Sequence, residues 1–234
     1  EGGLHGDEVM TTEFVHWLAD RVARSEGPLA TLLPRGIVFD FIPQANPDGG
    51  SQGQRANAHG VNLNRNFGVL WGLSSENPGS GSFSEPETRA LRKLFQSRHY
   101  LAAVDVHGYI NWIVTPSAPE ALRDMGKSPT QPQIAAYRSW LSSISAQSSS
   151  LPQYELKTGA ELGDGGAFED WAFWSQGTFA YCLEIEKVTG KSANAPGNDK
   201  LAMFMRYERF IFGTVASAIS IADKVQSPAN FAGQ

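Results

Sequence analysis

Residues 100–107 (YLAAVDVH) form an apolar run that closes on a histidine and is followed by Gly108. A run this short, with little alternation, predicts a strand buried on both faces. Period-two geometry puts Asp105 and His107 on one face of it, and a histidine at a strand end is placed to point out of the sheet into a cleft. Working outward, residues 178–186 (TFAYCLEIE), 36–43 (GIVFDFIP) and 111–116 (NWIVTP) predict further strands. Helices are predicted over 8–24, where Met10, Phe14, Leu18 and Val22 recur every four residues, and from Ser84 to about Ser97, with Ser84 as N-cap ahead of Pro86 and Glu87. Three more are predicted over 131–148, 167–175 and 200–224. Strands alternating with helices argue for one α/β domain over residues 1–234, with a largely parallel or mixed sheet.

Composition removes several function classes. With 41% hydrophobic residues in 234, the chain is globular rather than disordered. Its 24 acidic against 19 basic residues give a net charge of −5, and no basic run stands out, which argues against a nucleic-acid partner. No apolar stretch reaches the ~18 residues that a membrane-spanning helix needs. The single cysteine, Cys182, excludes an internal disulfide and any multi-cysteine metal cluster. A metal would therefore rest on histidine and carboxylate.

His5 precedes Glu8 by three residues at the start of the first predicted helix, a spacing that turns both side chains to one side. The plain reading is a capping carboxylate beside a surface histidine; the chemical reading is a pair of metal ligands. His107 at its strand end supplies a third. Two histidines and one glutamate, with a fourth position left to water, make a catalytic zinc set. Residues 44–84 carry little periodicity and are rich in Gly, Asn and Ser, and a loop that long inside a compact domain tends to be functional. Its NPDG segment (46–49) reads as a turn. Arg65, with Asn64 beside it, is suited to hold a carboxylate bidentately. Glu184 and Glu186 share one face of the strand at 178–186.

HGDE (5–8), NPDG (46–49), Arg55 followed by GVNLNRNF (60–67), SEPET (84–88) and DVHGY (105–109) occur in this order. That series resembles the zinc metallocarboxypeptidases of the carboxypeptidase A type, in detail over residues 4–109 and more weakly to about 190. The resemblance implies a three-layer α/β/α fold around a central, mixed, mostly parallel sheet. It implies one Zn2+ held by His5, Glu8 and His107, and Arg55 as the group that stabilises the oxyanion. Asn64 and Arg65 would grip the substrate's terminal carboxylate, with Tyr109 among the substrate contacts. Counting from Asp170-Trp171 puts the general base on Glu184; counting back from Thr189-Gly190 lands on Ile185. The same Asp-Trp count puts Glu169 at the base of the pocket for the terminal side chain, favouring a cationic end group; a count from Gly165-Gly166 gives Phe168 there and an apolar one.

Departures from carboxypeptidase A refine this. Asp7 and the segment RANAHG (55–60) look more like bacterial murein tripeptide amidases. Asn62 stands where an aspartate usually orients the first zinc histidine. The usual tyrosine before Asp170-Trp171 is replaced, leaving Tyr154 as a distant substitute for a mobile cover. Relatives place strands before the zinc histidine, including a central one ending at it, so an N-terminal segment is expected to be missing. The implied activity is hydrolysis of an amide next to a free carboxylate, on peptide C-termini or on peptidoglycan stem peptides. A zinc hydrolase removing an acyl group from an amino acid, and a non-catalytic carboxylate-binding module on the same fold, are the alternatives.

Overall fold

The computed structural model describes residues 1–151, 153–186 and 198–224; the Thr189-Gly190 pair used above for counting lies outside them. In chain order its helices and strands begin with α1 (Val9–Ala23), α2 (Gly27–Ala30), α3 (Pro47–Gln52) and α4 (Pro86–Ser97). β1 (Ala102–Gly108), β2 (Trp112–Thr115), α5 (Pro119–Asp124), α6 (Gln131–Ser148) and β3 (Glu155–Thr158) follow. α7 (Phe168–Trp174), β4 (Phe179–Ile185) and α8 (Asn198–Lys224) complete it. The strands form one mixed sheet in the order β1-β4-β2-β3. β1 pairs parallel with β4 and β2 with β3, while β2 and β4 run antiparallel.

The sheet lies between two apolar layers, the three-layer arrangement expected. One core joins α1, α6 and α8 through Phe14, Leu18, Trp140, Ile144, Phe204 and Phe210 to Val106, Phe179, Tyr181 and Leu183 of the sheet. The other gathers Phe67, Phe83, Leu91, Phe95, Phe168 and Trp171 against Ala180. This divides the central strands by face. Because parallel partners in register share a face, Asp105 with Cys182, and His107 with Glu184, point to the side of the second core. The register therefore puts His107 and Glu184 next to each other at the carboxyl ends of adjacent strands.

α6 has the expected bounds because its start is fully specified. The Thr130 side chain accepts from Gln133 N–H, the Gln133 side chain accepts from Thr130 N–H, and a proline sits in the first turn. Other expectations need correction. Residues 36–43 are apolar but do not form a strand. A strand requires a neighbour for its backbone groups, and residues 36–42 instead line a cavity of about 380 Å³ whose far wall is Leu101–Val104. Past its start the segment's backbone is fastened at its end, by Gly2 N–H to Ile42 C=O at 2.9 Å, with Ala45 N–H to Gly2 C=O at 3.0 Å just beyond, while in its middle the Asp40 side chain accepts from Arg98 and Tyr100. Gly2 itself bridges Val106 in parallel fashion, laying the residues before His5 along β1. Ser84 is not the cap of α4: Glu85 takes that position, and the Ser84 hydroxyl donates to Glu85 Oε1 at 2.7 Å. NPDG opens the short helix α3, capped by Asn46 Oδ1 accepting from Gly49 N–H. β3, a four-residue strand with exposed or half-buried residues, has no apolar signature and was not anticipated. Among the described residues no helix is long and apolar enough to cross a membrane.

Candidate metal centre

Leu4, fully buried in the second core, delivers the chain to His5. His5, Glu8 and the start of α1 form one fastened turn: Glu8 N–H donates to His5 C=O, and the Thr11 hydroxyl and N–H both reach Glu8 C=O. Gly6 has no alternative here, because a Cβ would come within 2.1 Å of the Gly49 backbone in α3. The i, i+3 spacing thus holds Glu8 beside His5, and β1 brings His107 up from the sheet.

The three side chains converge. His5 Nδ1 lies 2.9 Å from Glu8 Oε1 and 2.9 Å from His107 Nδ1, and His107 Nδ1 lies 3.1 Å from Glu8 Oε2. Two imidazoles and a carboxylate aimed at one point fit a tetrahedral zinc, whose ligands stand about 3.3 Å apart at bond lengths near 2.0 Å. They are the group of residues that meets metal-site geometry among the described residues. Each imidazole turns its other nitrogen to an oxygen: His107 Nε2 is 2.7 Å from Asp105 Oδ2, and His5 Nε2 is 2.9 Å from Asn62 Oδ1. This fixes both tautomers with Nδ1 facing the centre.

The three side chains shift one another's proton affinities. Burial pushes the His107 pKa down, but the charges of Asp105 and Glu8 outweigh it and hold His107 well above the usual histidine range. Burial, and then the His107 charge, push His5 down. Burial opposes ionisation of Glu8, yet His107 and the hydrogen bonds from both imidazoles keep it well below the carboxylate range. Glu184 is pushed up to about 7, chiefly by burial, with the Glu8 and Asp105 charges adding and those of His107 and Arg55 subtracting. Its Oε2 has no hydrogen-bond partner among the described residues. Glu186 is turned away toward Arg206, and its N–H donates to Tyr207 Oη at 2.9 Å.

Arg55 reaches the centre, with Nη1 2.9 Å from His5 Nδ1 and 3.3 Å from Glu8 Oε1. Arg65 is buried and already occupied, by Asp164 at 2.5 Å and Glu76 at 3.1 Å. Asn64 accepts the Phe168 N–H at 2.8 Å, tying the Asn64–Arg65 loop to α7. Phe168 is locked in the second core against Phe67, Phe95 and Trp171. Glu169 is 2% exposed, and its Oε2 lacks a partner among the described residues. Burial, then the Asp170 charge, push its pKa well up, and the charges of Asp105 and His107 reach it. Tyr109 Oη accepts the Met10 N–H at 3.2 Å at the head of α1. Tyr154 is paired with Tyr207 at 2.6 Å, which removes it as a free cover for the centre. Glu76 and Asp164 escaped the sequence reading: both lie in aperiodic loops where no spacing singles out a carboxylate.

Two histidines and a glutamate so arranged invite comparison with known families. The family model described as zinc carboxypeptidase matches residues 1–206. This chain belongs to the zinc carboxypeptidase family. Among curated relatives, it is 29% identical over 111 residues to carboxypeptidase SOL1 of Arabidopsis thaliana, covering 46% of this chain and 22% of that protein. It is 31% identical over 134 residues to murein peptide amidase A of Escherichia coli, covering 50% of this chain and 51% of the relative. The chain thus spans about half or less of these relatives' lengths. Thrombin-activatable fibrinolysis inhibitor superposes with a TM-score of 0.71 at 19% identity, over 93% of this chain and 61% of that one, which establishes a shared fold. The family is described as zinc carboxypeptidase, and His5, Glu8 and His107 form a cluster that could hold a metal ion.

Proposed function

We propose that this protein is a zinc-dependent carboxypeptidase that hydrolyses an amide next to a free carboxylate. The observation that carries the reading is the convergence of His5, Glu8 and His107, with the unpartnered Glu184 carboxylate in register beside His107. One Zn2+ held there supplies Lewis acidity toward a carbonyl and a water. Glu184, buried and pushed up toward neutrality, takes a proton from water and returns it to the leaving amine. Arg55, half exposed at the rim, offers a guanidinium to the carbonyl oxygen as negative charge builds on it. Arg65 receives the terminal carboxylate in exchange for Asp164, while Asn64 fixes the loop that presents it. Tyr109, held on α1, lines the substrate side of the centre.

Glu169 favours a specific substrate class. Its Oε2 is buried and has no hydrogen-bond partner among the described residues, and a buried carboxylate is costly unless a cation pairs with it. A terminal residue bearing an ammonium or guanidinium fits: lysine, arginine, or the diaminopimelate of murein stem peptides. Phe168, whose ring is packed into the core, does not compete for that position.

Metal analysis and turnover of peptides with free C-termini test the reading. Wild-type protein should take up one zinc per chain and release the terminal residue. Glu184→Gln should keep the metal and lose turnover by about 10²–10⁴-fold, because it removes proton transfer but no ligand. Absence of turnover on every peptide and murein tripeptide, with or without zinc uptake, would reject the enzyme and leave the carboxylate-binding module.

A further inference from the structure

The two candidate zinc histidines are backed differently. His107 has a carboxylate, Asp105, directly behind it. His5 has an amide, and an amide oxygen is a weaker partner for an imidazole N–H than a carboxylate. The amide is not alone. Asn62 Oδ1 receives both His5 Nε2–H at 2.9 Å and Asn64 N–H at 3.0 Å, which makes that atom the oxygen. Its Nδ2 donates to Glu76 Oε2 at 2.6 Å. The same carboxylate accepts from Arg55 Nε at 3.3 Å and Arg65 Nη2 at 3.1 Å. One side chain from an aperiodic loop thus touches the amide behind a ligand and both arginines of the site.

We propose that Glu76 is a positioning residue for the metal centre, supplying the missing carboxylate to His5 through the Asn62 amide while aligning Arg55 and Arg65. The inference rests on His5 being a zinc ligand. A carboxylate on Nδ2 polarises the amide and makes Oδ1 a better acceptor, so the His5 Nε2–H bond strengthens and Nδ1 becomes a stronger donor to a metal. Partial burial opposes ionisation of Glu76, but the Asn62 hydrogen bond and then the Arg65 and Arg55 charges hold its pKa below the usual value, and the carboxylate in turn sets the direction of both guanidiniums.

Zinc affinity of the metal-free protein, measured against a chromophoric chelator, tests this with Glu76→Gln, Asn62→Asp and the double variant. In the wild-type background Glu76→Gln should weaken zinc binding by about tenfold, the lower end of effects at groups backing a ligand. Asn62→Asp provides a carboxylate directly and sets it against Glu76. In that background Glu76→Gln should therefore tighten zinc binding, because it relieves repulsion between two close carboxylates. A reversal of sign supports the relay, since a merely structural role would weaken both backgrounds alike. Equal weakening in both, or an unchanged affinity in Glu76→Gln, would overturn it while leaving the zinc reading intact. A wild-type protein that binds no zinc would overturn the inference together with the function it rests on.

Discussion

At His107 a metal would compete with a proton, because the Asp105 and Glu8 charges hold its pKa well above the usual histidine range. The Asp105 and Glu8 carboxylates that raise its proton affinity also make it a strong ligand once deprotonated. Zinc binding should therefore release a proton, and affinity should fall as pH is lowered. Calorimetry in buffers of differing ionisation enthalpy checks this; an enthalpy independent of buffer would mean that His107 is already neutral. Glu169 poses the converse case. Burial, then the Asp170 charge, push its pKa well up, and a substrate cation beside Oε2 would favour its charged form. Peptides ending in lysine should be preferred over those ending in phenylalanine, by kcat/KM. Glu169→Gln should shrink that preference by about 10–100-fold, the worth of a charge-assisted bond in a buried site. A wild-type preference for phenylalanine would sink the acidic pocket.

At the scale of elements, α7 links the site to the sheet. Asp170 in its first turn accepts from both the N–H and the hydroxyl of Ser117, just past the end of β2. Asp170→Ala would leave a buried N–H without its partner, and should cost about 2–3 kcal/mol in denaturant unfolding of the metal-free protein; a loss below 1 kcal/mol would mean that water replaces the carboxylate. What the sequence made legible follows the same division between local and distant causes. α6 was readable because cap, proline and periodicity all lie within its own residues. The three residues that converge were readable because each closes a short motif: a turn into α1 for His5 and Glu8, a strand end for His107. Residues 36–43 were misread because pairing depends on a neighbour elsewhere in the chain, and their apolar composition equally suits the wall of a cavity. Glu76 and Asp164 were invisible because only the folded loops carry them to Arg65.

For the molecule as a whole, the acids under the sheet set how stability responds to pH. Burial raises Asp170 from 3.8 to about 6 and Glu184 from 4.5 to about 7, so the folded protein binds more protons than the unfolded chain in that window. Stability of the metal-free protein should therefore decline as pH rises from about 4 to 7. Thermal unfolding should show a falling midpoint that Glu184→Gln flattens; a midpoint rising throughout would place the control in other groups. The single thiol offers a view of the same event. Cys182 is buried in β4, opposite Asp105 on one side and Val114 on the other, with its pKa pushed well up by burial and then the Glu184 charge. The sulfur is buried on the face that carries the second core, so its labelling rate counts openings that uncover that face of the sheet. The molecule thus carries its own stopwatch, two residues from the proposed base, and a ligand held only by the closed form will slow it in proportion to occupancy.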